Sequence, residues 1–483
     1  MSAGGADTLT IAINGDPQSL DPAKNGSGPQ QLVQWLSYEP LIRTNADGSF
    51  APALAASWKY TGTDNKAFEM TLREGATFAD GTPVTADAVV RTLKYFIATP
   101  SPSHSTIETV SDVSAPDART VRIAFSQPTP NAPRVFSQLT NYGDVISPAG
   151  LKKTSALGTA TFGAGAYTLD KGQSVSGDRY TFVKNDKYWN PKAQHYKKIV
   201  VRIIGDSKTA LSALRTGQID VSTVTEQSQV DQAESAGLDV VAGGKVSIMV
   251  WLLDGKGQVA PAMADPRVRK ALNLAIDRKA IATTLGKAYR PLSQFASPGA
   301  EGYSDAVPAY PYDPAQAKKL LDEAGVGKGF TLALATNTDN RDAEVSQILV
   351  EQWAKVGVKV SLRTFDNQPS EMFGSLAAGK FSAITFAVSM PLSEMAAQLT
   401  RKAVFNPFGV TEPAVNDAFA QYAKAGSGET AEAAKNVGQV VHDAALFVPV
   451  ASVERYLFAK GVDGLGRFGS YGEYDVLNWK PSS

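Results

Sequence analysis

Strand-like and helix-like segments alternate along the whole of this 483-residue chain. Residues 8–14, Thr-Leu-Thr-Ile-Ala-Ile-Asn, alternate apolar and polar with the period of a half-buried strand. Gly15-Asp16-Pro17 and Leu20-Asp21-Pro22 follow with turn chemistry. Residues 31–39 predict a helix with Leu32, Trp35 and Leu36 on one face. Phe68, Met70 and Leu72 alternate in a strand that ends near Gly75, and Asp80-Gly81 makes a tight turn. Residues 83–96 predict a helix capped by Thr85, stapled by Val84 and Val89, with Val89, Leu93 and Phe96 as its apolar stripe. After an apolar strand at 199–204, Asp206 opens a helix with Leu211 and Leu214 inside, and Gly217 stops it.

The second half is punctuated more sharply. Asp265-Pro266 supplies an N-cap and a first helical residue, and Val268, Ala271, Leu272, Ala275 and Ile276 keep the helical spacing. Asp313-Pro314 opens another helix that closes at Gly325. Val345, Ile348, Leu349, Trp353 and Val356 stripe a third, Gly357 stops it, and Val358, Val360 and Leu362 alternate as a strand. This interleaving predicts α/β layers. Phe162-Gly163-Ala164-Gly165-Ala166-Tyr167 reads as a flexible turn where the chain changes domain. At roughly 150 residues per domain the length predicts about three domains.

Composition narrows the function. Lys plus Arg and Asp plus Glu number 47 each, so the chain lacks the positive charge of a typical nucleic-acid binder. With no Cys, disulfide frameworks, thiolate metal sites and thiol nucleophiles drop out. The longest strongly apolar runs, 246–253 and 444–451, are far below the ~20 residues that span a bilayer. The small, flexible start Met1-Ser2-Ala3-Gly4-Gly5-Ala6-Asp7 reads as a trimmed leader, with an export signal and a lipid-modified Cys upstream. A cytoplasmic protein with a loose N-terminus is the other reading of the same residues.

A search for catalytic chemistry returns little. His104, His195 and His442 lie far apart without metal-ligand spacing, and each reads as a surface or structural histidine. No Walker A segment, Gly-x-Ser-x-Gly elbow or Ser-x-x-Lys occurs. Gly464-Leu465-Gly466-Arg467-Phe468-Gly469 matches Gly-x-Gly-x-x-Gly, but too little chain follows for the helix and acidic residue of a dinucleotide site. Those glycines read as a terminal loop.

Several segments, in order along nearly the whole chain, carry a family resemblance. They begin with Ser19-Leu20-Asp21-Pro22, Tyr38-Glu39-Pro40-Leu41 and Pro52-Ala53-Leu54-Ala55 with Ser57-Trp58. The most specific runs Leu72-Arg73-Glu74-Gly75-Ala76-Thr77-Phe78-Ala79-Asp80-Gly81-Thr82-Pro83-Val84-Thr85-Ala86-Asp87-Ala88-Val89. Tyr188-Trp189, Leu214-Arg215-Thr216-Gly217-Gln218-Ile219-Asp220, Asp265-Pro266-Arg267-Val268-Arg269-Lys270-Ala271-Leu272 and Ala275-Ile276-Asp277-Arg278 continue the series. Together they resemble the extracytoplasmic solute-binding proteins of ABC importers, in the family of dipeptide-, oligopeptide- and nickel-binding proteins (family 5).

The resemblance implies an α/β, two-lobed, hinged periplasmic-binding-protein-like fold (class II) with a third, inserted domain. Its landmarks put the first lobe at 1–43, 166–247 and 454–483, the inserted domain at 44–165 and the second lobe at 248–453. The hinge crossings fall near 246–251 and 448–453. Such a clamp closes on its solute and presents the closed form to a permease, which works with ATPase subunits. The implied protein is a monomeric transport subunit, outside the cytoplasm and lipid-tethered, with a small-molecule or peptide ligand. It has no cofactor, no metal and no nucleic-acid partner, and it is not an enzyme. A ligand-sensing receptor subunit and a hydrolase are the alternative functions.

Peptide binders of this family resemble one another in a Gly-Trp-x-x-Asp segment whose Asp pairs with the peptide α-ammonium. Here Phe381-Ser382-Ala383-Ile384-Thr385-Phe386-Ala387-Val388-Ser389-Met390-Pro391 occupies that stretch, with Val388 at the Trp position and Pro391 at the Asp position. Glu394 is the nearest substitute acid. The expected ligand-binding residues are Asn25, Gly26, Ser27, Trp251, Asn367, Gln368, Thr385, Phe386, Ala387, Val388, Ser389, Phe405 and Asn406. Amides, hydroxyls and flat rings suit a peptide, a blocked peptide, or a sugar- or opine-like solute. Core packing is the other reading of Trp251 and Phe386. Arg363 reads either as a ligand-carboxylate partner or as a surface residue at a strand.

Overall fold

A computed structural model describes residues 7–482 apart from 18, 25–30, 46, 63, 101–106, 339–340, 367–368, 427 and 467–473. The chain forms two compact units, Met1–Gly244 with Arg455–Ser483, and Lys245–Glu454. It leaves the first unit along the strand Asp239–Leu252 and returns along Phe447–Ala459.

In the first unit the strand Thr8–Ile13 pairs in parallel with Lys198–Ile203 and with Val221–Ser222. Arg179–Lys184 and then Tyr167–Leu169 extend the sheet antiparallel on the far side. Leu9, Ile11 and Ile13 point into one core, while Ala12 points into another with Leu211, Leu214 and Phe458. The helix Ser207–Arg215 behind it is capped by Asp206, whose carboxylate accepts the Thr209 N–H at 2.7 Å.

The same unit holds a four-stranded antiparallel sheet in the order Ala55–Tyr60, Ala67–Leu72, Thr120–Phe125, Val110–Ser114. The helix Ala86–Ala98 packs Val89, Leu93 and Phe96 into a core with Phe68, Met70 and Ile123. Thr85 caps that helix by accepting the Ala88 N–H. In the turn before it, Asp80 accepts the Thr82 N–H at 2.9 Å and Gly81 has φ +86°.

Two sequence expectations change here. The helix expected over 31–39 is a single turn, Leu32–Trp35. Pro40 has no N–H with which to continue it, and the carbonyls of Leu36 and Ser37 accept from Tyr167 and Gly165. The glycines expected to make 162–167 flexible are there for close approach: a Cβ on Gly163 or Gly165 would overlap the backbone of Ser37 and Tyr38.

The second unit is a helix–sheet–helix sandwich. Val358–Phe365 pairs in parallel with Phe330–Asn337, which pairs in parallel with Ala383–Val388. Ala383–Val388 then runs antiparallel to Asp239–Leu252, from Ser247↔Val388 to Leu252↔Ala383. Alternation along 248–253 sends Ile248, Val250 and Leu252 to one face and Met249, Trp251 and Leu253 to the other. Helices Pro266–Leu274, Arg278–Leu285, Pro314–Glu323 and Asp342–Ala354 cover the first face. Pro369–Ala377, Leu392–Leu399, Pro413–Lys424 and Thr430–Asp443 cover the second. Asp265, Asp277 and Asp313 cap their helices through side-chain oxygens. Each such cap contributes about 1 kcal/mol.

Candidate functional site

The strand Ala383–Val388 outruns one of its neighbours. Its pairing with Phe330–Asn337 ends at Thr336↔Thr385, whereas its pairing with Asp239–Leu252 continues to Val388↔Ser247. Past Thr385 the helix Asp342–Ala354 takes over that edge. The Ala387 N–H donates to Asp342 Oδ2 at 2.9 Å, and the hydroxyls of Ser346 and Thr385 bond at 2.8 Å. Phe386, Val388 and Met390, two residues apart, line one face and stay half-buried. Ala387 packs toward the opposite core, and Ser389 is half-buried.

Behind Phe386 lies an aromatic cluster centred on Phe405. Its ring is 5.4 Å from Phe386, 6.2 Å from Phe373 and 4.5 Å from Trp251, the last nearly parallel at 28°. Phe447 meets Trp251 edge-on at 4.7 Å. Rings at these distances and angles attract one another beyond simple area burial, which stabilises the cluster.

Burial sorts the expected site residues. Trp251 is 1% exposed, with Phe405 and Phe447 packed on its ring, so it stands in the core. Thr385 is 0% exposed and its hydroxyl is engaged by Ser346. Asn406 is 4% exposed and organises its own loop: its Nδ2 donates to the carbonyls of Arg401 and Val410, and its Oδ1 accepts the Val410 N–H at 2.7 Å. Phe405 is buried at 9%. Phe386, Ala387, Val388 and Ser389 retain accessible surface. Asn25, Gly26, Ser27, Asn367 and Gln368 lie outside the described residues, as does His104.

Other sequence candidates resolve in the same way. Arg363 lies half-exposed over the Phe365 ring and pairs with Glu371, a surface arrangement. Glu394 is half-buried in the first turn of Leu392–Leu399. His442 stacks on Tyr310 with ring centres 4.2 Å apart, and burial pushes its pKa below the usual histidine value. Among the described residues no cluster of three or more His, Cys, Asp or Glu is arranged to hold a metal ion. No helix among them is long and apolar enough to cross a membrane.

Sequence reasoning missed Phe373, which meets Phe386 edge-on at 6.0 Å, and Asp342, which fixes Ala387. Phe373 lies in a short helix whose stripe gives no sign of which ring it will meet. Asp342 looks in sequence like an ordinary first-turn acid.

Comparison with known proteins places this architecture. Residues 49–401 match the sequence profile described as bacterial extracellular solute-binding proteins, family 5 middle. The glutathione-binding protein GsiB of Escherichia coli (strain K12) is 28% identical over 376 residues, 75% of this chain and 70% of that protein. The probable D,D-dipeptide-binding periplasmic protein DdpA of the same strain is 27% identical over 377 residues, 75% of this chain and 71% of its own length. The solved structure of HbpA2 from Haemophilus parasuis superposes with a TM-score of 0.83 at 20% identity, covering 99% of this chain and 100% of that one. The two named relatives are binding proteins. With the profile spanning 353 of the 483 residues, the chain belongs to the family 5 bacterial extracellular solute-binding proteins.

Proposed function

We propose that this chain is the substrate-capturing subunit of an ABC importer, and that its cargo is a peptide or peptide-like solute held against residues 386–390. The family assignment and the peptide ligands in the names of GsiB and DdpA support the cargo class. The observation that carries the site is the half-exposed row Phe386, Val388 and Met390, on a strand end that has outrun its parallel neighbour and is backed by Phe373 and Phe405.

The chemistry of this row limits what meets it. Phe386-Ala387-Val388-Ser389-Met390-Pro391 contains no carboxylate, and the Asp342 carboxylate beside it is fully buried and holds the Ala387 N–H. An ammonium desolvated there without an anion would cost several kcal/mol. The cargo therefore offers this wall an uncharged part: an apolar side chain, or an amino end that is blocked. Phe386, Ala387, Val388 and Ser389 touch the solute, and Asn25, Gly26, Ser27, Asn367 and Gln368 complete the contact set. Trp251, Thr385, Phe405 and Asn406 support the wall from behind.

The same proposal takes 1–43, 166–247 and 454–483 as the first lobe, 44–165 as the domain inserted in it, and 248–453 as the second lobe. The protein works outside the cytoplasm on a lipid tether, hands its solute to a permease coupled to ATPase subunits, and leaves the solute chemically unchanged.

Native mass spectrometry of gently purified protein gives the mass of any co-purified solute. Calorimetry with hydrophobic tripeptides, each free and N-acetylated, then tests the wall. The acetylated forms bind more tightly, and Phe386→Ala weakens them by about 1 kcal/mol, roughly fivefold. Preference for the free amine, or full affinity in a folded Phe386→Ala protein, overturns the assignment of this wall. Release of cleavage products would identify a hydrolase instead.

A further inference from the structure

Behind the aromatic cluster, within the second unit, lies a small cavity bounded by Trp251, Leu253, Leu399, Phe405, Val410 and Glu412. It offers about 20 Å³, room for one water-sized group. Trp251 is 1% exposed, and its indole Nε1 is buried with no acceptor in the protein. A buried donor left unmet is costly, and native proteins rarely retain one without a reason.

The other polar groups at this wall are already engaged. Asn406 spends both ends of its amide on the 401–410 loop. Glu412 accepts from the buried Arg269 guanidinium at 3.0 Å, so its charge is balanced. An anion entering the cavity would meet the Glu412 carboxylate, and a cation would find that carboxylate already paired with Arg269. The tryptophan N–H donates only. A neutral group with apolar surroundings, whose acceptor tip is about as wide as a water molecule, fits all three constraints.

We propose that this cavity is a subsite for the neutral, acceptor-bearing tip of a solute side chain, an amide carbonyl or a thioether sulfur, with Trp251 Nε1–H as its donor. The role in solute selection rests on the reading that the Phe386–Phe405 wall faces the cargo. The cavity itself is testable without any peptide.

The test reads indole N–H resonances in ¹⁵N-labelled full-length protein. The chain has six tryptophans, and Trp251→Phe assigns the Trp251 signal by its disappearance. N-methylacetamide is titrated as the neutral acceptor, with acetate and tetramethylammonium as charged controls. The expected result is a saturable downfield shift confined to Trp251, absent with both ions. Val410→Phe, which fills the cavity and keeps the indole, abolishes the shift and also provides the assignment if Trp251→Phe does not fold. A linear shift shared by the other indoles, no shift, or persistence of the shift in Val410→Phe overturns the subsite; water is then its only occupant. Those outcomes leave the importer reading untouched, and failure of the peptide calorimetry leaves the cavity result standing.

Discussion

Asp144 is buried in the first unit, and neither carboxylate oxygen has a hydrogen-bond donor in the protein. Its backbone N–H is fixed on the Asn141 carbonyl, and the adjoining Gly143 carbonyl accepts from Leu41, so the side chain cannot swing out with its loop. Burial first, and the Glu39 carboxylate second, push its pKa well above the ordinary aspartate value. Glu39 is itself tied to Arg43, to the Tyr188 hydroxyl at 3.0 Å and to the Trp189 indole N–H at 3.3 Å, so Arg43 is already committed to it. An ionised carboxylate in such a place costs several kcal/mol, and taking up a proton is the cheaper state.

The sign follows from linkage. The native pKa lies above the unfolded one, near 3.9, so the favourable protonated state is fully present below pH ~3.9 and is lost as pH rises toward the native value. Across that window the wild type loses up to about 1.4 kcal/mol per pH unit through this group alone. Asp144→Asn keeps the size and removes the titration. The variant therefore gains on the wild type with rising pH, by roughly 2–3 °C in Tm per pH unit for a unit of this size. Thermal and urea melts of both proteins from pH 4 to 8 measure the difference, in which the other titrating groups cancel. A difference that stays flat with pH, or that favours the wild type as pH rises, would refute the buried neutral carboxyl.

Two further substitutions probe the second unit. Trp251→Ala empties a ring packed by Phe405 and Phe447, so it should cost about 3–5 kcal/mol of stability in urea denaturation; a loss under 1 kcal/mol would show that the ring is not in the core. Asp254 is fully buried and accepts the N–H groups of Gln258 at 2.7 Å and of Val259 and Ala260 at 2.8 Å each. Asp254→Ala leaves three donors unmet and should cost roughly 3 kcal/mol or more, with faster amide exchange at 258–260; unchanged exchange there would contradict the carboxylate's role.

Where the sequence was legible, the governing chemistry was local. Thr85, Asp206, Asp265 and Asp313 cap the helices their spacing announces, because a cap needs only its own side chain and the backbone two or three residues on. The alternation of 8–13 and 358–362 likewise gives strands, and the ordered motifs name the family. The expectation over 31–39 failed at its C-terminal end. Pro40 offers no N–H and disfavours a helical residue before it, so the stop was written locally; the Leu36 and Ser37 carbonyls then accept from Tyr167 and Gly165, more than 120 residues later.

The site shows the same divide at finer scale. Period-two alternation puts Ile384, Phe386 and Val388 on one face of their strand, and that much is readable from sequence. How deep each lies depends on where the neighbouring strand stops and on which rings arrive from elsewhere. Pairing ends at Thr336↔Thr385, so Thr385 is sealed while Phe386 keeps accessible surface one residue later. Trp251 would be open to a ligand if Phe405 and Phe447 did not reach it from 154 and 196 residues further along the chain. Sequence therefore gives the face each residue of this strand takes but cannot separate the residues at its surface from those behind it, because that separation is set by tertiary partners. The same partners leave the Trp251 N–H without an acceptor at the edge of a cavity. A residue expected to stack on the solute through its ring face thus has that ring packed by Phe405 and Phe447, and only its one polar atom is left without a partner in the protein.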